Sequence, residues 1–192
     1  LIRFTIEPPA DASLGSTTNL QDVAISADGR LIAYNGPSPT GLPQISLRAS
    51  DQLAGAPLRG GGGIGPFFSP DGEWVGFVDN QANSSLQKVS TLGGSPVALA
   101  VSPTPIRGVS WGEDDQIVFG TNSDGLFRVS GGGGEPERLT TLDAQRGETS
   151  HRWPFVIDGR EAVLFTVFEG GNATSAAQLA VLDFGTSEVR RL

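Results

Sequence analysis

The chain has 192 residues, of which 27 are glycine and 13 proline; 38% are hydrophobic and the formal net charge is -8. That length supports one ordinary domain with a real core, and the glycine and proline content favours turns over helix interiors. No apolar run is long enough for a membrane helix, and the 13 basic residues are scattered, so the clustered positive potential that nucleic acid or an anionic membrane needs is missing.

Residues 1–7 (L-I-R-F-T-I-E) alternate, with Ile2, Phe4 and Ile6 on one side. They are expected to form an extra strand of the kind that closes a ring from the other end of a chain. A first unit follows: an apolar strand over 23–25, a turn at Asp28-Gly29, then strands over 31–34, 44–48 and 56–58. The second unit repeats it, with a strand over 66–68, a turn at Asp71-Gly72, and strands over 74–78, 86–89 and 97–100. In the third, strands over 109–111, 117–119, 126–129 and 137–139 surround an Asp114-Asp115 pair. The fourth has strands over 153–157, 162–167, 179–183 and 188–192 around Asp158-Gly159.

The turn aspartates stand 43, 43 and 44 residues apart. A period of that size belongs to propeller blades or to certain helical repeats. Short β-rich runs around an Asp-Gly turn make hairpins, and no segment carries an apolar stripe at helical spacing over three turns. The fold expected is therefore all-β: a β-propeller of four-stranded antiparallel blades, about four of them, near 18–60, 61–101, 104–141 and 149–192. A blade cannot bury both faces alone. Phe67, Phe68, Trp74, Phe77, Trp111, Phe119, Trp153, Phe155 and Phe165 are expected to fill the spaces between blades, with the smaller Ile25, Leu31 and Tyr34 in the first unit. Asp28, Asp71 and Asp158 are expected to accept backbone N–H groups inside their own turns, beside Gly29, Gly72 and Gly159, with Asp114 in the third place.

The repeated Ser26-Ala27-Asp28-Gly29 and Ser69-Pro70-Asp71-Gly72 turns, each with an aromatic strand, resemble the WD40-like repeat of the TolB and tricorn-protease type. The stretches S-H-R-W-P-F-V-I-D-G (150–159), G-L-F-R-V (125–129) and L-T-T-L-D (139–143) are similar to the TolB-like propeller behind the membrane helix of some bacterial serine/threonine kinases. The resemblance covers nearly the whole chain. It implies a ring that usually has six blades, of which this chain resembles the first two-thirds, and a location in the periplasm or outside the cell. It carries no catalytic residue: neither a glycine loop with a following lysine strand nor a His-Arg-Asp loop is present. Three departures stand out: Asp115 replaces the turn glycine, Gly112 stands where Ser69 stood, and Val156-Ile157 replaces Ser-Pro.

Cysteine is absent, which excludes disulfides and thiolate chemistry. Methionine is absent too, and the chain starts at Leu1, so a processed product or an internal fragment is expected. The glycine runs 60–63 and 131–134 lack the Lys-Ser/Thr that a phosphate loop requires. Residues 108–112 spell G-V-S-W-G, the string of a hydrolase nucleophile, but they lie on a predicted strand that runs into Glu113-Asp114-Asp115 rather than a helix. His151 is the single histidine; it is expected to bond between blades, with a ligand contact as the alternative. Sequons at Asn83 and Asn172 fall in predicted loops.

The candidate ligand contacts are His151, Arg152, Arg107 and Glu148, with the loops at 35–43, 60–65, 103–108 and 145–152. No metal site and no cofactor are expected. The expected function is a non-catalytic binding or interaction module for a protein, peptide or small molecule. The alternative is the propeller of a hydrolase, a lyase or a gated peptidase. Four blades in an open arc leave apolar faces uncovered. Two copies are therefore expected to pair through those faces, unless further repeats complete the ring.

Overall fold

A computed structural model describes residues 20–36, 42–79, 84–170 and 177–192. The strand expected over 1–7, part of the loop over 35–43, and both sequons lie wholly or partly outside those residues. Sixteen strands form four sheets of four among the described residues, each antiparallel and each in simple chain order. The first sheet holds β1 (Val23–Ile25), β2 (Leu31–Gly36), β3 (Gln44–Ala49) and β4 (Ala56–Pro57); the second holds β5 (Gly63–Phe68), β6 (Trp74–Asp79), β7 (Ser85–Ser90) and β8 (Val97–Val101). The third holds β9 (Ile106–Trp111), β10 (Gln116–Thr121), β11 (Phe127–Ser130) and β12 (Glu137–Arg138). The fourth holds β13 (Glu148–Ile157), β14 (Ala162–Glu169), β15 (Ala177–Asp183) and β16 (Val189–Arg191). The architecture is all-β, four four-stranded blades in a propeller arrangement.

Turn chemistry sets the register of the first hairpin in each sheet. Ser26 Oγ donates to Asp28 Oδ1 at 2.6 Å, that oxygen accepts the Arg30 N–H at 3.0 Å, and Ser26 Oγ accepts the Leu31 N–H at 2.9 Å. Ser69, Asp71, Glu73 and Trp74 repeat the pattern at 2.5, 2.9 and 2.9 Å. Gly29 and Gly72 both take φ 72°, the left-handed conformation that costs glycine least. These bonds also hold the Asp28 and Asp71 carboxyls below their usual range; the serine hydroxyl contributes most and the backbone N–H next.

The last two turns solve the problem differently. Asp115 itself adopts φ 61°, and its Oδ1 accepts Trp111 Nε1–H at 3.0 Å. Asp114 Oδ1 accepts the Gln116 N–H at 3.2 Å. In the fourth sheet Gly159 keeps φ 71°, but Asp158 Oδ1 accepts the N–H of Glu113 from the neighbouring sheet at 3.2 Å. This corrects the expectation that Asp158 closes its own turn. Val156 stands where Ser26 and Ser69 stand in the earlier units, so no hydroxyl orients the carboxylate inward.

The first strands of the sheets converge. β5 packs against β1, β2 and β3; β9 packs against β5; β13 packs against β9 and β10. Farther out, β11 touches β8. Among the described residues, no strand of the fourth sheet packs comparably on the first. Each interface holds a compact apolar cluster. Ala33, Ile45, Val75, Phe77 and Val89 fill the first. Phe67, Leu86, Ile106, Ile117 and Phe119 fill the second. Val118, Leu126, Val163, Phe165 and Leu182 fill the third. Phe77, Phe119 and Phe165, each on the second strand of its sheet, are essentially sealed from solvent. Burying a side chain of that size is worth about 1.5–3 kcal/mol. Phe67 tilts onto Trp111 with centroids 6.1 Å apart, and Phe68 borders the first cluster.

Trp153 and Phe155 depart from the expected packing. They are 44% and 63% exposed. The β13–β14 register shifts between Arg152 and Phe155, and Trp153 sits at φ 50°. This bulge, which contains Pro154, re-aims consecutive side chains. Trp153 lies edge-on against Phe168 at 5.4 Å. Phe155 pairs with Leu164, and Leu164 with Val181, on the sheet face that points away from the third blade.

Candidate functional site

Two glycines, Gly108 on β9 and Gly120 on β10, bring the first two strands of the third sheet into near contact with β13. A Cβ at Gly120 would come within 2.6 Å of His151 O and 2.9 Å of Arg152 Cα. A Cβ at Gly108, where φ is 98°, would meet Trp153 Cα at 2.6 Å. Only bare backbone allows this approach, and it draws Arg107 of β9 toward Arg152 of β13.

Arg107 Nη1 donates to the Ile106 carbonyl at 3.0 Å. Arg152 is held more firmly: Nε donates to Ser150 Oγ at 2.8 Å, Nη2 donates to Asn122 O at 3.2 Å, and the guanidinium lies 4.4 Å above the Phe168 ring. Both groups are partly buried. Burial lowers the pKa of each, and the charge of Arg107 lowers that of Arg152 further. Neither arginine enters a salt bridge among the described residues, whereas Arg30, Arg128, Arg138, Arg146 and Arg191 all do. A guanidinium carries five N–H donors, so most of those on this pair remain uncommitted.

His151 and Glu148 form a different assembly. His151 is 2% exposed. Thr140 Oγ1 lies 2.7 Å from its Nδ1, and Glu148 Oε2 lies 3.0 Å from its Nε2. Glu148 also accepts the Asp143 N–H at 2.7 Å and pairs with Arg191. Arg191 reaches on to Glu169 and to Gln178. The His151 N–H donates to Asp124 O, and the Asp124 carboxylate pairs with Arg138. Burial pushes the His151 pKa down, against the raising effect of Glu148. Burial pushes Glu148 up, but the Asp143 N–H, Arg191 and His151 outweigh it and hold the carboxyl below its ordinary value. A cavity of about 400 Å³ opens beside this network, between Thr141, Arg146, Glu148 and Arg190.

The four candidates thus separate into two pairs: Arg107 with Arg152 at the convergent edge, and His151 with Glu148 in a packed network. Sequence reasoning quoted Thr140 within L-T-T-L-D without giving it a role and did not single out Asp124, Arg138 or Arg191; sheet packing unites the four in that network. It also passed over Lys88, whose ammonium lies 4.4 Å from the Trp74 ring centroid and 5.5 Å from that of Trp111, and donates to Gly131 O at 2.6 Å. Ser110 lies on β9, which covers residues 108–111 of the G-V-S-W-G string and runs into a turn rather than a helix, and its Oγ accepts the Val156 N–H at 3.0 Å. Among the described residues, no group of three or more His, Asp or Glu side chains is placed to hold a metal ion, and no helix is long and apolar enough to cross a membrane.

No protein-family profile and no curated protein matches the sequence. Solved structures match it well in fold. A TolB-type protein of Agrobacterium tumefaciens superposes with a TM-score of 0.71 at 18% identity, over 88% of this chain and 63% of that one. TolB of Acinetobacter baumannii gives 0.66 at 19% identity, over 90% of this chain and 43% of that one. An oligogalacturonate lyase of Vibrio parahaemolyticus gives 0.63 at 18% identity, over 90% and 51%. The chain therefore spans between 43% and 63% of these structures and shares with them a propeller-associated fold.

Proposed function

We propose that the chain is a non-catalytic binding module whose ligand surface is the convergent edge of the first strands. One observation carries this reading. Of the side chains that could perform chemistry, Ser110 and His151 are tied into contacts between blades and Glu148 into the His151–Arg191 network of the fourth blade, while Arg107 and Arg152 keep uncommitted donors at that edge. The same reading places the module in the periplasm or outside the cell, by likeness to the TolB structures. A sensor role beside a bacterial kinase fits this location, on the motif resemblance at 150–159. Two copies associating through uncovered blade faces are part of the proposal.

A second reading is favoured by the lyase likeness: the chain would be the propeller portion of a longer enzyme. A thermal-shift panel of peptides, sugars and organic acids, run beside lyase and aminopeptidase assays, separates the two. Ligand-dependent stabilisation without turnover is expected. Turnover by the 192-residue chain would overturn the binding-module reading.

A further inference from the structure

We propose that Arg107, Arg152 and Trp153 form a carboxylate site, one that takes a carboxylate borne on a flat ring. This rests on the binding-module reading and names the chemistry of its ligand. The chain has 21 acidic residues against 13 basic ones, so carboxylates are plentiful. Even so, these two neighbouring arginines have no acidic partner among the described residues, and each is partly withdrawn from water. The close approach of the strands at Gly108 and Gly120 brings both cationic side chains to one edge, and two like charges without an acidic partner favour an anion there.

The geometry is prepared in advance. Ser150, Asn122 and the Phe168 ring hold Arg152 in one orientation, so little freedom is lost when its remaining N–H groups engage a planar acceptor. The bulge in β13 sets Trp153 against the same Phe168 ring and leaves it 44% exposed. It therefore offers an aromatic surface beside the guanidinium pair, suited to a flat ring. The exposed Trp153 ring gives a ring-borne carboxylate a stacking contact that inorganic phosphate lacks.

Calorimetric titration of the 192-residue chain with 2-naphthoate tests the site, with 2-naphthamide and inorganic phosphate as controls. Naphthoate is expected to bind at least tenfold more tightly than either control. Arg107→Gln is expected to weaken it at least tenfold, and Trp153→Ala severalfold. Arg107 makes one backbone bond, so its variant stays folded and carries the test even if Arg152→Gln does not. Equal binding of naphthoate to the wild type and to Arg107→Gln, or equal binding of naphthamide or phosphate, overturns the carboxylate site. If naphthoate fails while a neutral compound in the thermal-shift panel stabilises the chain, the carboxylate site falls and the binding module stands. If nothing in that panel stabilises the chain, both fall.

Discussion

Thr140 Oγ1 accepts the Leu126 N–H at 2.8 Å and lies 2.7 Å from His151 Nδ1. Glu148 Oε2, an ionised acceptor 3.0 Å from Nε2, holds the histidine proton there, so the Thr140 hydroxyl donates to Nδ1. The neutral imidazole satisfies every partner around it, and burial favours the same state. Glu148 thus fixes the tautomer, and one threonine joins the outer edge of the third sheet to the first strand of the fourth.

Thr140→Val should destabilise the chain by about 1–3 kcal/mol, because it leaves the buried Leu126 N–H and His151 Nδ1 without a partner. Thr140→Ser restores the hydroxyl and should recover most of the loss. Urea unfolding of the three proteins checks this. A valine variant as stable as the wild type would show that the hydroxyl does not join the sheets.

Stability should depend on pH through His151. Its folded pKa lies below 6.5, so below that value the unfolded chain takes up a proton that the folded chain refuses. Stability is therefore full above pH 6.5 and falls as pH drops toward the folded pKa, with a slope of at most about 1.4 kcal/mol per pH unit for one proton. Glu148, lowered from 4.5, adds a further loss at lower pH, as the unfolded carboxylate protonates first. Melting temperatures between pH 8 and 5 should decline in the wild type. The decline should flatten in His151→Gln; an unchanged slope in that variant would assign it to other groups.

Two glycines should respond oppositely to alanine. A Cβ at Gly120 meets the backbone of His151 and Arg152 at 2.6–2.9 Å, and backbone cannot swing aside. Gly120→Ala should cost about 1–3 kcal/mol by forcing β13 away from β10. Gly62 has nothing within 4 Å of its Cβ position. Gly62→Ala should be neutral, or stabilising by about 0.4–1 kcal/mol through the unfolded state. Chemical denaturation of both variants gives the comparison.

Ser69 carries two bonds of its turn, donating to Asp71 Oδ1 and accepting the Trp74 N–H. Ser69→Ala should cost about 1–2 kcal/mol and move the Asp71 pKa up toward its ordinary value, because the hydroxyl is the largest influence lowering it. Carboxyl titration by NMR reads the second effect directly.

The blade period was legible because Ser-x-Asp-Gly turns are local: residues two to five apart make all their bonds. Asp71 follows that rule. Asp158 does not, since Val156 takes the serine position and the carboxylate turns to Glu113 in another sheet. Trp153 and Phe155 carried the right composition for a core, but a one-strand bulge reversed their facing, and composition does not encode register. Arg107 and Arg152 could be nominated from their places near predicted first strands. Their proximity depends on Gly108 and Gly120 allowing two backbones to touch, a property of packing between units 40 residues apart. The bond of His151 between blades was legible as an expectation; its partners Thr140 and Arg191 were not, because packing alone brings them to it.

The outer face of the fourth sheet bears on the proposed pairing of two copies. Phe155 is 63% and Leu179 50% exposed, and the β13–β14–β15 register puts both on one face with Leu164 and Val181. An apolar strip on a twisted sheet is what the preceding interface of the chain buries with Val163, Phe165 and Leu182 on the opposite face. A second copy should cover it. Light scattering on the 192-residue chain should give twice the mass of one chain at high concentration. Phe155→Glu with Leu179→Glu should return it to a single chain, while the stability of that chain shifts by no more than about 0.5 kcal/mol per site, as for other exposed positions. A wild type that stays a single soluble chain at high concentration would rule out pairing through this face.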